Sequence, residues 1–161
     1  ALPIGYGQTI SQPYMVANMT QILCETGTMG KVLEVGSGCG YQTVVLSAFA
    51  DKVFAVERIQ ALVKKLRTNL YELKIPNVKV RHLDGFNGWA EHAPFDAILV
   101  AAAPVGVPEK LLEQLVVGGR MVIPIGSGRR QELRLIKKNS TGFQEQVLDN
   151  VSFVPLLDGI E

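Results

Sequence analysis

Short apolar runs alternate along this chain with stretches in which apolar residues recur every three or four positions. Met15, Val16, Met19, Ile22 and Leu23 have helical spacing within residues 12–25, and Pro13 suits a first helical turn. "KVLEVG" (31–36) reads as a buried strand that stops at a glycine, and "YQTVVLSAFA" (41–50) as a buried helix. "KVFAVE" (52–57) is a second strand. Residues 58–74 carry the clearest stripe, Ile59, Leu62, Val63, Leu66, Leu70 and Leu73, and predict a long amphipathic helix. "NVKVRHLD" (77–84) is a third strand. "FDAILVAAA" (95–103) is a fourth, apolar almost throughout, as in a parallel sheet covered on both faces. A helix over 107–116 and a strand "RMVIPIG" (120–126) continue the alternation.

The rhythm then changes. "ELRLIKK" (132–138) and "FQEQVLDNVSFVPL" (143–156) are joined only by Asn139-Ser140-Thr141-Gly142, too few residues for a crossover helix, so these strands pair antiparallel. The expected fold is α/β, a doubly wound, mostly parallel sheet closed by an antiparallel hairpin. Its 161 residues, 47 % hydrophobic and 19 % charged, suit one globular domain over 1–161.

Charge narrows the partners. Sixteen basic against fifteen acidic residues leave a net charge of +1, which gives no general attraction to nucleic acid or to a membrane. Two cysteines, Cys24 and Cys39, make no disulfide framework and are expected to be reduced thiols of a cytoplasmic protein. The longest apolar runs, such as 97–105, are too short to span a bilayer, and no charged leader precedes an apolar segment. The chain starts at Ala1 without Met, so a missing piece at that end is expected.

"LEVGSGCGYQT" (33–43) is the most informative stretch, because it follows a strand and opens a helix. Gly36 allows the sharp turn, Gly38 lets a ligand approach the backbone, and Gly40 lets the helix start close to the strand. A tight strand-to-helix turn with no ligand is the plain alternative. The alternating glycines do not match the G-x-G-x-x-G of dinucleotide folds, and no Gly-Lys-Ser/Thr follows. Glu34, just before the loop, suits a ligand with an ammonium group and a sulfonium better than a pyrophosphate. Glu57, ending the second strand, suits the two hydroxyls of a ribose. Asp84 suits an adenine amino group, with Gly85 keeping the backbone open beside it. A single strand-end acid often merely caps the next helix. Three of them beside this loop describe a pocket for S-adenosyl-L-methionine.

The acceptor side is defined by what it lacks. Methyltransferases acting on amide or adenine nitrogens carry Asn/Asp-Pro-Pro-Tyr/Phe after the fourth strand, where this chain has Ala101-Ala102-Ala103-Pro104. No His/Asp/Glu cluster has metal-ligand spacing, so no metal is expected. His82 and His92 are single, and Cys39 has no evident activating neighbour. A methyl donor without a general base fits an acceptor that is already ionised. A carboxylate, with a pKa near ~4, needs only alignment and neutral hydrogen-bond donors. The uncharged "GYGQTIS" (5–11) offers such donors.

On these residues the chain resembles the protein-L-isoaspartate (D-aspartate) O-methyltransferase family. "LPIGYGQTISQPYMVA" (2–17) is similar to the family's signature, and "VLEVGSGCGYQT" (32–43), "VERI" (56–59), "APFDAILV" (93–100), "GGRMVIPIG" (118–126) and "FVPL" (153–156) follow in the family's order. The resemblance implies a cytosolic, Rossmann-like class I methyltransferase that uses S-adenosyl-L-methionine. Its substrates would be isoaspartyl-containing proteins and peptides, methylated on the α-carboxylate, with D-aspartyl a weaker substrate in some members. The ester then closes to a succinimide that reopens partly to normal aspartate. Ser11 matches the active-site serine and, with Ile4, is assigned to the substrate. Gln8, Thr9 and Ile10 match positions lining cofactor and substrate, and Gly36, Ser37, Gly38, Gly40, Glu57, Asp84 and Gly85 match cofactor contacts.

The expected division of labour is a substrate-side motif and first helix (1–26), a cofactor-binding core (31–126) and the closing hairpin (131–156), in a monomer. Leu83 stands where the family commonly has glycine, Ala101 where many members have threonine, and family members usually carry several dozen residues before "LPIG". Three readings compete: a different methyltransferase acting on a small molecule or RNA, a cofactor-binding form without turnover, and a nicotinamide dehydrogenase, which the glycine spacing disfavours. For Ser11 the competing reading is a helix-start residue before Pro13.

Overall fold

The computed structural model describes residues 1–161. A small hairpin comes first, β1 (Leu2–Gly5) and β2 (Gln8–Ile10), followed by helix α1 (Pro13–Leu23). Then β3 (Met29–Val35), α2 (Tyr41–Ser47), β4 (Ala50–Glu57), α3 (Gln60–Glu72) and β5 (Val78–His82) form the first half of the sheet. Two short 3-10 turns, Gly85–Asn87 and Ala90–His92, lead to β6 (Phe95–Val100), α4 (Glu109–Glu113) and β7 (Leu115–Ser127). The chain closes with β8 (Arg130–Asn139) and β9 (Gly142–Val151). Seven strands make one sheet in the order β5-β4-β3-β6-β7-β8-β9. The five strands from β5 to β7 run parallel, and β8 and β9 are antiparallel additions at the far edge. No helix is long and apolar enough to cross a membrane.

Alternation along each strand sends its side chains to two cores. Leu33, Val35, Phe54, Val56, Ile98 and Val100 pack on one face, with Leu111 of α4 and Trp89. Val32, Val53, Ala97, Leu99 and Val122 pack on the other, with Met19 and Leu23 of α1 and Leu46 of α2. Leu66 and Leu70 of α3 cover Ala55 beside this second core. The doubly wound sheet with its antiparallel closure is therefore as expected.

The departures are local. The opening stretch is not a plain lead-in: Leu2↔Ile10 and Pro3↔Thr9 pair, and the chain reverses at Tyr6-Gly7. Both turn residues have positive φ, +56° and +70°, the left-handed pair of a type I′ hairpin turn. The helix expected over 107–116 is only Glu109–Glu113, because Leu115 already pairs with Phe95 and lengthens β7 at its start. β6 ends at Val100, where Ala101 donates its N–H to the Val35 carbonyl at 2.9 Å and the chain turns away.

The strand expected over 143–156 is also cut short. β9 stops at Val151, and the buried Gln131 side chain holds both backbone groups of Phe153, at 2.7 and 3.0 Å. Residues 154–156 then join the chain beyond β6, through Ala103 N–H to the Val154 carbonyl (2.7 Å) and Leu156 N–H to the Ala103 carbonyl (2.9 Å). "FVPL" thus leaves the hairpin and reaches the carboxyl end of the parallel strands, the end at which open α/β sheets bind ligands.

Candidate active site

β3 and β6 are neighbours although an α-β-α-β excursion separates them in sequence, and the strand order reverses between them. Above this switch point lies an inner cleft, walled by Val35, Gly36 and Gly38 from the β3 loop, Glu57 and Arg58 from the end of β4, Gly85, and Val154–Leu157. An outer groove of about 280 Å³ lies beside it, lined by Ser11, Gln12 and Met15 on one side and Asn150–Val154 on the other. A third hollow, with Ile10, Ser37 and Gln42, connects the two. Thr9 and Ala101 line all three, so they mark the point where inner and outer ligands would meet.

Ser11 lines both the outer groove and the connecting hollow. Its hydroxyl has no partner within the chain, and the residue capping α1 is Gln12, which makes no side-chain cap. The helix-start reading of Ser11 therefore loses its basis. No acidic or basic side chain lines the outer groove.

Glu57 is buried at the cleft wall. One carboxylate oxygen accepts the Gly38 N–H at 2.8 Å and the other the Ile59 N–H at 3.0 Å. It therefore pins the glycine loop to the end of β4, and each oxygen keeps a further lone pair for a ligand hydroxyl. Ile4 of β1 sits over Gly38, and the inner cleft encloses only about 50 Å³. Small-molecule sites usually span several hundred Å³, so with the hairpin in this position the inner cleft is narrow. The bare glycine surface at Gly36 and Gly38 and the buried acid Glu57 suit a nucleoside ligand; Gly85, expected to be open, is not, since Val35 and Leu156 pack against it where a side chain would stand.

Several sequence assignments are moved by the structure. Glu34 does not face the cleft. It alternates with Val35, which does, and so its carboxyl points to the opposite face, wholly buried, where it accepts from the Thr43 hydroxyl of α2. Gly40 also lies away from the cleft: its backbone, at φ +102°, lies against Leu66 of α3, and a side chain there would collide with it. Asp84 is beside the cleft rather than in its wall, one oxygen capping the turn at Phe86 N–H (2.9 Å) and the other accepting from Gly159 N–H (2.8 Å). Ile4 touches the glycine loop instead of the outer groove. Gln8, Thr9, Ile10, Gly36, Ser37, Gly38, Glu57 and Gly85 are brought together around the inner cleft and the hollow. His82 binds the Arg58 carbonyl through Nε2 at 2.7 Å, and His92 stacks on Phe54 and Trp89, so both are structural.

Burial pushes the Glu34 carboxyl up to about 7, against the lowering effect of the Thr43 and Ser37 hydroxyls and with a small push from Glu57. A carboxyl whose folded pKa lies above its unfolded value binds more protons in the native state, so stability falls as pH rises through that window. We expect stability to decline between about pH 5 and 7, by up to about 1.4 kcal/mol per unit, and to be level above it. Glu34→Gln is expected to flatten that slope in urea melts run from pH 4.5 to 8.5; an unchanged slope would assign it to other groups.

The whole chain, residues 1–161, matches the family model described as protein-L-isoaspartate(D-aspartate) O-methyltransferase. The chain belongs to this family. A family relative from Pseudomonas aeruginosa, named protein-L-isoaspartate O-methyltransferase, is 54 % identical over 159 residues, covering 99 % of this chain and 75 % of the relative. A solved protein-L-isoaspartate O-methyltransferase superposes with a TM-score of 0.86 at 29 % identity over 96 % of this chain, which spans half the length of that protein. A Plasmodium falciparum family structure in complex with S-adenosyl-L-homocysteine superposes with a TM-score of 0.80 at 30 % identity, covering 97 % of this chain and 79 % of that one.

Sequence reasoning missed two parts of the site, Arg58 and the wall Val154–Leu157. "FVPL" was visible as a family segment but reads as strand, and only the long-range pairing with Ala103 shows that it lines the cleft.

Proposed function

We propose that this chain transfers the methyl group of S-adenosyl-L-methionine to the free α-carboxylate of L-isoaspartyl residues in damaged proteins and peptides, the first step of their repair. The carrying observation is Ser11: an unpartnered hydroxyl at the junction of an inner, nucleoside-type cleft and an outer groove with no ionisable side chain. When bound, the cofactor supplies an electrophilic sulfonium methyl. The residues of the chain then have three tasks. Glu57 and the loop Gly36–Gly38 hold the nucleoside end. Ser11 donates to one carboxylate oxygen of the substrate and orients the other toward the wall formed by Thr9 and Ala101. Met15 and the segment Val151–Val154 shield the groove from water.

No base is needed. An isoaspartyl α-carboxylate is ionised at neutral pH, and a neutral hydroxyl positions it without greatly lowering its nucleophilicity. The family assignment supports the same reaction. The relative with S-adenosyl-L-homocysteine supports the cofactor. The test is incubation with methyl-labelled cofactor and a peptide carrying one isoaspartyl residue. The product expected is a base-labile methyl ester on that peptide; label resistant to mild base would point to nitrogen or another acceptor.

A further inference from the structure

The five residues Leu157–Glu161 contribute nothing to the sheet, yet they are tied down at the mouth of the inner cleft. Leu157 lines that cleft. Gly159 donates its N–H to Asp84 at 2.8 Å and accepts from Arg58 Nε at 3.3 Å. Glu161 is held three times: its N–H donates to the Arg58 carbonyl (2.7 Å), its carbonyl accepts from Gln60 N–H (2.8 Å), and its carboxylate pairs with Arg58 Nη1 (3.0 Å). The same Arg58 carbonyl receives His82 Nε2 at 2.7 Å.

Arg58 is thus fixed through its backbone, its Nε and its Nη1, and three of its four contacts come from the C-terminal segment, the fourth from His82. It follows Glu57 directly and lines the cleft next to it. On the opposite side, Gly85 lines the cleft and Asp84 stands beside it, oriented by Phe86 and Gly159. The segment therefore bridges the two loops, after β4 and after β5, between which the adenosine end of the cofactor is placed.

We propose that Leu157–Glu161 is a strap for the adenosine half of the cofactor, and that Arg58 and Glu161 are positioning residues that hold it closed. The inference rests on the assignment of the inner cleft to S-adenosyl-L-methionine, and it concerns the nucleoside end alone. With the strap fastened, the Arg58 stem and Leu157 form one apolar side of the mouth, and Asp84 keeps a lone pair available for an adenine amino group. With the strap loose, Arg58 is free to sample other rotamers and the mouth widens.

The experiment is calorimetric titration of the full chain with S-adenosyl-L-homocysteine, for the wild type, Glu161→Ala, Arg58→Ala and the double variant. Glu161→Ala is expected to raise Kd about fivefold, and the double variant to bind no more weakly than Arg58→Ala, because the two act through one contact. The KM for cofactor rises with it, while kcat and the KM for peptide stay level. Hydrogen exchange supplies a second readout independent of turnover: the Gly159 and Glu161 amides are expected to be slowed further when S-adenosyl-L-homocysteine binds. Unchanged affinity in Glu161→Ala, or strap amides indifferent to the nucleoside, would overturn the strap. Failure of the wild type to bind S-adenosyl-L-homocysteine at all would instead overturn the cofactor assignment, and failure to methylate isoaspartyl peptide would leave the strap readouts intact.

Discussion

Ser11→Ala is expected to lower kcat/KM for an isoaspartyl peptide about 10²-fold, the scale of loss when a reacting group is no longer held in alignment. The affinity for S-adenosyl-L-homocysteine should stay within about twofold, on the scale of a lost contact that the ligand does not make. Two structural facts separate these effects. Ser11 lines the outer groove and the connecting hollow but not the inner cleft, and Gln12, not Ser11, precedes the first turn of α1. The variant should therefore melt like the wild type. A Ser11→Thr variant keeps the hydroxyl and should recover much of the rate if the donor is what matters. Full activity in Ser11→Ala, measured by peptide methylation under saturating cofactor, would remove Ser11 from the reaction.

The second large effect is expected at Glu57. Glu57→Ala removes the acceptor for two backbone N–H groups, those of Gly38 and Ile59, in a buried place. Each unsatisfied donor costs on the order of 1–3 kcal/mol, so the variant should lose roughly 3 kcal/mol of stability and release the glycine loop. Cofactor affinity is expected to fall more than about 10²-fold, because the loop and the ribose acceptor are lost together. Glu57→Gln separates the two roles. Its amide oxygen still accepts one N–H, while its NH₂ faces the other N–H as a second donor. It should fold better than Glu57→Ala yet bind S-adenosyl-L-homocysteine nearly as weakly. Retained affinity in Glu57→Gln would show that the cleft does not use this carboxylate for the ligand.

The parallel half of the sheet was legible because its strands are short apolar runs with glycine or acid at their ends, and its helices carry clear stripes, as 60–72 does. That the glycine loop and Glu57 share one cleft was legible for the same local reason: both lie where a parallel strand stops. Glu34 was misread because a strand-end acid is equally suited to either face until the parity is known. Val35 facing the cleft sends Glu34 to Thr43 and into full burial. Asp84 was placed near the right position, but its partner Gly159 lies far along the chain, and no local pattern announces that contact. The same holds for residues 154–156, whose extended, apolar sequence suits a hairpin strand until Ala103 is found pairing with Pro155. The opening hairpin escaped notice because Tyr6 occupies a left-handed turn position that asparagine or glycine usually fills.

The roles divide cleanly between the two hollows. The acid lies in the inner cleft, where Glu57 fastens the glycine loop and, in the proposed function, also meets the cofactor. The outer groove holds none, and that neutrality is what a carboxylate acceptor requires. A lysine or arginine there would bind the substrate more tightly and make it a poorer nucleophile, while an aspartate or glutamate would repel it.

The central claim is that the outer groove takes an isoaspartyl α-carboxylate. It is tested most directly by comparing kcat/KM for methyl transfer to two peptides of one sequence, one with an isoaspartyl residue and the other with normal aspartate. We predict base-labile labelling of the isoaspartyl peptide and labelling of the aspartyl peptide lower by a factor of about 10² or more, the discrimination a positioned site of this kind achieves. Equal labelling of the two peptides would contradict the account.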